Sequence, residues 1–215
     1  MSPVKPFVRL LTVFSMSIMV AQPGFGMPGI PDPDRSEAFI AFPGPGEATL
    51  MVVPDGSGPL FTEARDPAGN VTDATITLYV RDDLGIPLAN IPPEDIWLES
   101  SDLGMVPCIG GNTPDHDTDA DGMTRWVNAP FATGTSEAPA IVRINGYRLT
   151  SNDGLPLKFN SPDISSDGIV NLTDVAILTQ DYFGGYSFRC DFNFDGDLDL
   201  SDVAVFARHF GARCP

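Results

Sequence analysis

Residues 163–174 read Asp163-Ile164-Ser165-Ser166-Asp167-Gly168-Ile169-Val170-Asn171-Leu172-Thr173-Asp174, and 28 positions further on residues 191–202 read Asp191-Phe192-Asn193-Phe194-Asp195-Gly196-Asp197-Leu198-Asp199-Leu200-Ser201-Asp202. Both stretches put oxygen-bearing side chains at positions 1, 3, 5, 9 and 12, a glycine at position 6 and an available backbone carbonyl at position 7. A hard cation such as Ca²⁺ takes six to eight oxygens, and a twelve-residue loop delivers them at this spacing because the glycine permits a sharp turn. Two Ca²⁺ ions are therefore expected. The first would be held by Asp163, Ser165, Asp167, the carbonyl of Ile169, Asn171 and Asp174. The second would be held by Asp191, Asn193, Asp195, the carbonyl of Asp197, Asp199 and Asp202. The second loop carries five acids against three, so its charge predicts the tighter site.

Each loop runs directly into an apolar segment of helical period. Val175, Leu178 and Tyr182 form one stripe and Val203, Phe206 and Phe210 the other, and the two stripes are expected to pack together. No helix is predicted before either loop. Pro156 and Pro162 disfavour one ahead of Asp163, and Gly184-Gly185 stops one ahead of Asp191. A duplicated calcium loop with an exiting helix only, an EF-hand-like half, resembles a dockerin module over roughly residues 161–215. The resemblance implies metal ion binding and Ca²⁺-dependent docking of the helices onto a cohesin-type partner. Type I dockerins usually carry a Ser-Thr pair at loop positions 10 and 11, whereas this chain has Leu172-Thr173 and Leu200-Ser201. Those four residues are the candidates for partner contact, with apolar burial replacing hydroxyl bonds.

The N-terminus predicts export. Lys5 and Arg9 precede a twelve-residue apolar run, Leu10 to Ala21, followed by small residues, which is the pattern of a secretory signal peptide. The run is too short to span a bilayer comfortably. Without Lys5 and Arg9 the chain keeps 10 basic residues against 29 acidic ones, a net charge near −19. Such a surface repels nucleic acid and anionic lipid, so neither nucleic-acid binding nor membrane insertion is expected.

Between the two ends the chain reads as β structure. Ala74 to Val80 alternates apolar and polar residues, and further short strands are expected at 49–53, 96–99, 124–127, 141–144 and 157–159, separated by Gly, Pro, Asn and Asp. The predicted class is a β-sandwich followed by a small all-α, dockerin-like domain. Its boundaries are a signal peptide at 1–26, a flexible Pro/Gly-rich leader at 27–45, the sandwich at 46–160 and the calcium module at 161–215. The strand, turn and following strand over Thr75 to Ile91, and the turn Thr118 to Thr124, resemble a bacterial Ig-like domain of the invasin type. Asp117-Thr118-Asp119-Ala120-Asp121-Gly122 repeats half of the calcium pattern, but position 12 of that register is Asn128, and a solvated hairpin turn is expected.

Three cysteines make one pair and one remainder. Cys190 and Cys214 bracket the second loop and its helix and are the expected bridge, with Cys108 left as a buried thiol. Catalytic patterns are missing. There are two histidines, His116 and His209, and no nucleophile elbow, phosphate-cradling loop or zinc-protease helix. Trp97 and Trp126 are expected in the sandwich core rather than on a sugar platform. The expected function is thus a secreted, non-catalytic protein that displays an Ig-like domain through a Ca²⁺-dependent docking module. Two alternatives remain open: an accessory role in a polysaccharide catabolic process, with the sandwich touching polysaccharide, or a structural surface protein in which calcium only stabilises.

Overall fold

The alternation around Leu78 makes a strand because one face can be buried completely: Ile76 and Leu78 are buried while Thr77 and Tyr79 stay half-exposed. The computed structural model describes residues 29–151 and 153–215, and the proposed signal peptide lies outside them. The strands in chain order are β1 (Glu37–Ile40), β2 (Ala48–Met51), β3 (Ala64–Arg65), β4 (Val71–Thr72), β5 (Ile76–Tyr79), β6 (Ile96–Ser100), β7 (Met105–Pro107), β8 (Met123–Trp126), β9 (Ala132–Gly134), β10 (Ala140–Ile144), β11 (Tyr147–Arg148) and β12 (Leu157–Asn160). Strands stand at all six places where the sequence predicts them. They form four small sheets, ordered β1-β5-β8, β11-β10-β6, β12-β2-β3-β4 and β7-β9. Pairing is antiparallel except between β12 and β2. One core, holding Leu50, Phe61, Ile76, Leu78, Ile96, Trp126, Leu157 and Phe159, lies between these sheets. Trp126 is in it, its indole Nε1 donating to the Asn112 carbonyl at 2.8 Å.

Several expectations are corrected. The C-terminal region is not a small all-α domain. It contains two helices, α1 (Leu172–Gly184) and α2 (Leu200–Arg208), and their apolar faces close over the β body. Strand β2 explains how. Ala48, Leu50 and Val52 point into the first core, while Met51 and Val53, on the opposite face, enter a second core with Ile164, Val170, Leu178, Phe192 and Phe206. Two short helices bury too little apolar surface between themselves to stand alone, so the sheet supplies the third wall. This is why Thr49-Leu50-Met51-Val52-Val53 lacks the alternation of a one-sided strand.

Part of the supposed leader is ordered: Glu37–Ile40 is β1, in register with β5 from Glu37 opposite Tyr79 to Ile40 opposite Ile76. The second strand expected within residues 75–91 shrinks to a bridge between Arg81 and Pro87, because proline has no N–H for a ladder. The disulfide joins Cys108 to Cys214, with Cα atoms 5.5 Å apart, and leaves Cys190 as the buried free thiol. Cys214 is drawn away from Cys190 because the C-terminal tail pairs with the first loop; its amide donates to the Gly168 carbonyl at 2.9 Å.

Candidate metal centre

The two twelve-residue stretches adopt one backbone conformation. Position 4 has positive φ in both, 60° at Ser166 and 59° at Phe194, and so does position 6, 90° at Gly168 and 87° at Gly196. The position 6 values are in reach of glycine at no steric cost. At position 9, Asn171 and Asp199 are helix N-caps of extended backbone whose side chains each accept the amide two residues on, from Thr173 and Ser201, at 2.7 Å. Position 12 completes a capping box, with Asp174 accepting from Asn171 N–H at 2.8 Å and Asp202 from Asp199 N–H at 3.0 Å. Both helices therefore begin where the loops end.

The interior of each loop is built from the acids at positions 1 and 12. Asp163 accepts the Gly168 amide at 2.7 Å, as Asp191 accepts that of Gly196 at 3.1 Å. Asp174 also accepts from the Ser165 amide at 2.8 Å, and Asp202 from the amides of Phe192 and Asn193 at 2.8 and 3.3 Å. Ser165 donates to Asp163, and Asn193 donates to Asp195. Other acids stay on the rim. Asp167, Asp195, Asp197 and Asp199 are exposed, and three of them accept an amide two residues further on. Among the described residues no three His, Cys, Asp or Glu side chains are gathered tightly enough to hold an ion. In each loop the acids at positions 1 and 12 are thus buried near enough to repel each other, Asp163 with Asp174 and Asp191 with Asp202, while the acids at the remaining ligand positions stay exposed on the rim.

The donor set nevertheless fits a hard divalent cation. Asp163, Asp174, Asp191 and Asp202 are buried, and among the described residues none is paired with a basic side chain. Asp191 Oδ1 is buried without a hydrogen-bond partner among the described residues. Burial pushes the carboxyls of Asp163 and Asp191 above their usual range; Asp174 and Asp167 add repulsion at the first, Asp202 at the second. A buried carboxylate so placed costs on the order of several kcal/mol unless a cation offsets it. Oxygen-only donors without thiolate or imidazole suit Ca²⁺ or Mg²⁺ rather than Zn²⁺.

Side chains and amides outside the repeat also grip the loops. Asn160, buried at the end of β12, donates Nδ2 to the carbonyls of Asp191 at 2.6 Å and Phe188 at 3.2 Å. The Gly134 amide of β9 donates to the Asp163 carbonyl at 3.1 Å. Tyr186 donates its hydroxyl to Asp191 Oδ2 at 3.1 Å. None of these contacts is encoded in the loop pattern. The one local hint is a polar Asn160 ending an apolar strand.

Between the loops, Asp181 of α1 receives a two-pronged bond from Arg189, Nε to Oδ2 at 2.6 Å and a terminal nitrogen to Oδ1 at 2.9 Å. The guanidinium holds the Asp181 carboxyl down to about 2. A carboxylate with a depressed folded pKa stabilises the fold above its unfolded value and loses that contribution as pH falls through about 2. Arg189 is partly exposed, so solvent screening reduces the gain. Asp181→Asn is expected to cost about 1 kcal/mol at pH 7 and nothing below pH ~2. Urea unfolding at the two pH values measures it, and an equal loss at both would show packing rather than charge at work. Asp181 also accepts the Cys190 thiol at 3.3 Å, and burial, followed by the Asp181 carboxylate, pushes that thiol's pKa up and so disfavours the thiolate.

Two other sequence candidates have plain structural explanations. In Asp117 to Gly122, Asp119 accepts the amides of Asp121 and Met123, both at 2.9 Å, and Thr118 bonds the Leu88 carbonyl at 2.6 Å, which makes the stretch a hairpin turn feeding β8. His209 meets the Ser57 hydroxyl at 3.2 Å, and His116 sits beside Thr124. No known family model matches the chain, and no curated protein matches it. Among the described residues no helix is long and apolar enough to cross a membrane.

Along the helices Leu178 and Phe206 are buried and Val175 and Val203 are half-buried, while Phe210, expected on the second stripe, falls in the turn after α2 and is left half-exposed. The stripes do not close completely. A groove of about 520 Å³ remains between them, floored by Leu178 and Phe206 and flanked by Tyr182, Leu200 and Val203. Leu172 and Leu200, which open the two helices, are 74% and 73% exposed.

Proposed function

We propose that this chain is an exported, non-catalytic protein that binds two Ca²⁺ ions in its C-terminal loop-helix pair and docks through it onto a protein partner of the cohesin type. The observation that carries the reading is the repetition of one loop conformation around two pairs of buried carboxylates that have no basic partner among the described residues. Calcium would be held by the residues at positions 1, 3, 5, 7, 9 and 12 of each loop. Its charge would offset the repulsion between positions 1 and 12 and draw in the rim acids. The chain's own part is to start each helix from the loop's last ligand, so that ordering the loop orders the helix N-terminus. Exposed Leu172 and Leu200 stand at those N-termini.

A second reading is favoured by the shared core: Met51 and Val53 tie the helices to the β body, as expected of a calcium-bound stabilising element. Two measurements separate them. Calorimetric titration of the intact chain should count two Ca²⁺ ions, and a chain that takes up none would defeat both readings. Leu172→Asp combined with Leu200→Asp should abolish Ca²⁺-dependent retention on an immobilised cohesin-type domain while changing the unfolding free energy by no more than about 0.5 kcal/mol, because both leucines are exposed. Retention that survives the double substitution, or that ignores EGTA, favours the stabilising role.

A further inference from the structure

The C-terminal tail is part of the first loop. Gly211 donates its amide to the Val170 carbonyl at 2.9 Å, Val170 donates to Ala212 at 2.8 Å, and Cys214 donates to Gly168 at 2.9 Å. Ile169 and Arg213 lie opposite each other in this short antiparallel ladder. The ladder bonds go through residues 168 and 170, so the N–H and C=O of Ile169 turn to the other side, toward the loop. The Ile169 amide accordingly donates to Asp167 Oδ1 at 3.1 Å, and its carbonyl accepts from Asn171 Nδ2 at 3.1 Å. That carbonyl is the backbone ligand expected at position 7.

The tail is itself anchored. Cys214 is bonded to Cys108, directly after β7; β7 pairs with β9, and Gly134 of β9 holds the Asp163 carbonyl. The first loop is therefore gripped at position 1 and at positions 6–8, and the disulfide closes the circuit between the two grips. A Cβ on Gly168 would lie 3.7 Å from Cys214 Sγ, so the bridge lies against the loop itself. The second loop is held at position 1 by Asn160, but at positions 6–8 it has no equivalent of the tail among the described residues. Among the described residues Gly196, Asp197 and Leu198 make no backbone ladder, and the space around Gly196 is open.

We propose that the disulfide-anchored tail Gly211–Cys214 is the positioning element of the first Ca²⁺ site, fixing the Ile169 carbonyl before the ion arrives, and that the second site lacks this support. The inference rests on the calcium reading above. Full-length chains carrying one working site are the material for the test: Asp191→Ala with Asp202→Ala leaves the first, and Asp163→Ala with Asp174→Ala leaves the second. Each is titrated with Ca²⁺ with the bridge intact and with Cys108→Ser plus Cys214→Ser. Loss of the bridge should weaken the first site by about tenfold or more, the range seen when partners that orient a metal ligand are removed. The second site should move less than about threefold, and its retention reports that the chain still folds. Equal changes at both sites, or none, would overturn the inference and leave the calcium reading standing, whereas an intact chain that binds no Ca²⁺ would overturn both. If the bridge-free chains do not fold, amide exchange of the unsubstituted, Ca²⁺-free protein decides: Val170 and Cys214 should be protected and Asp197 and Leu198 not, and equal exchange in the two loops would refute the proposal.

Discussion

Chelating Ca²⁺ is expected to lower the melting temperature of the full chain by on the order of 10–20 °C. A ligand that binds only the folded form stabilises it by RT ln(1 + [Ca²⁺]/Kd), about 2.7 kcal/mol per site at a hundredfold excess over Kd, hence about 5 kcal/mol for two sites. In a chain of 150–250 residues each kcal/mol is worth roughly 2–4 °C. The physical source is visible in the loops: Asp163, Asp174, Asp191 and Asp202 are buried as two pairs of acids, and burial already pushes Asp163 and Asp191 toward protonation. Scanning calorimetry in Ca²⁺ and in EGTA measures the shift. An identical transition in both would mean that the hydrogen bonds from Gly168, Ser165, Gly196 and Phe192 satisfy these carboxylates unaided, and the metal reading would fall.

The loops were legible because their chemistry is local. A glycine at position 6, a capping residue at position 9 and an acid at position 12 act within one turn of chain, so the sequence pattern and the backbone angles coincide at Gly168 and Gly196, at Asn171 and Asp199. The six alternating or apolar strand segments were legible for the same reason. What depends on distant partners was not. Cys214 could be matched with Cys190 by its neighbourhood in sequence, but the ladder from Gly211 to Cys214 carries it to Cys108, 106 residues away. Asn160 and Gly134 hold loop carbonyls through contacts that no spacing rule encodes. The expectation of a separate helical domain failed at Met51 and Val53. These residues look like ordinary strand positions, yet the second face of β2 is where the helices close.

That shared wall makes Phe206 the most consequential side chain of the C-terminal region. It is 4% exposed, packs 6.2 Å from Phe192 between ring centroids and belongs to the same cluster as Met51 and Val53. Truncating a buried phenylalanine to alanine costs about 3–5 kcal/mol, through lost burial and the cavity left behind. The form of the loss matters more than its size. If the helices were an independent unit, Phe206→Ala would split unfolding into an early, helix-only step and an unchanged main transition. Because β2 carries Leu50 and Val52 into one core and Met51 and Val53 into the other, the two cores cannot part without tearing that strand's neighbours. Urea unfolding followed by far-ultraviolet circular dichroism and by tryptophan fluorescence, which reports the body through Trp126, should therefore show one coincident transition displaced to lower urea. Phe210→Ala, at a half-exposed ring two residues past the end of α2 and beside the groove, should cost about 1 kcal/mol or less and serves as the control for surface packing. Transitions that separate between the two probes in the Phe206 variant would show that the second core is dispensable to the β body, and the shared-wall account would be lost.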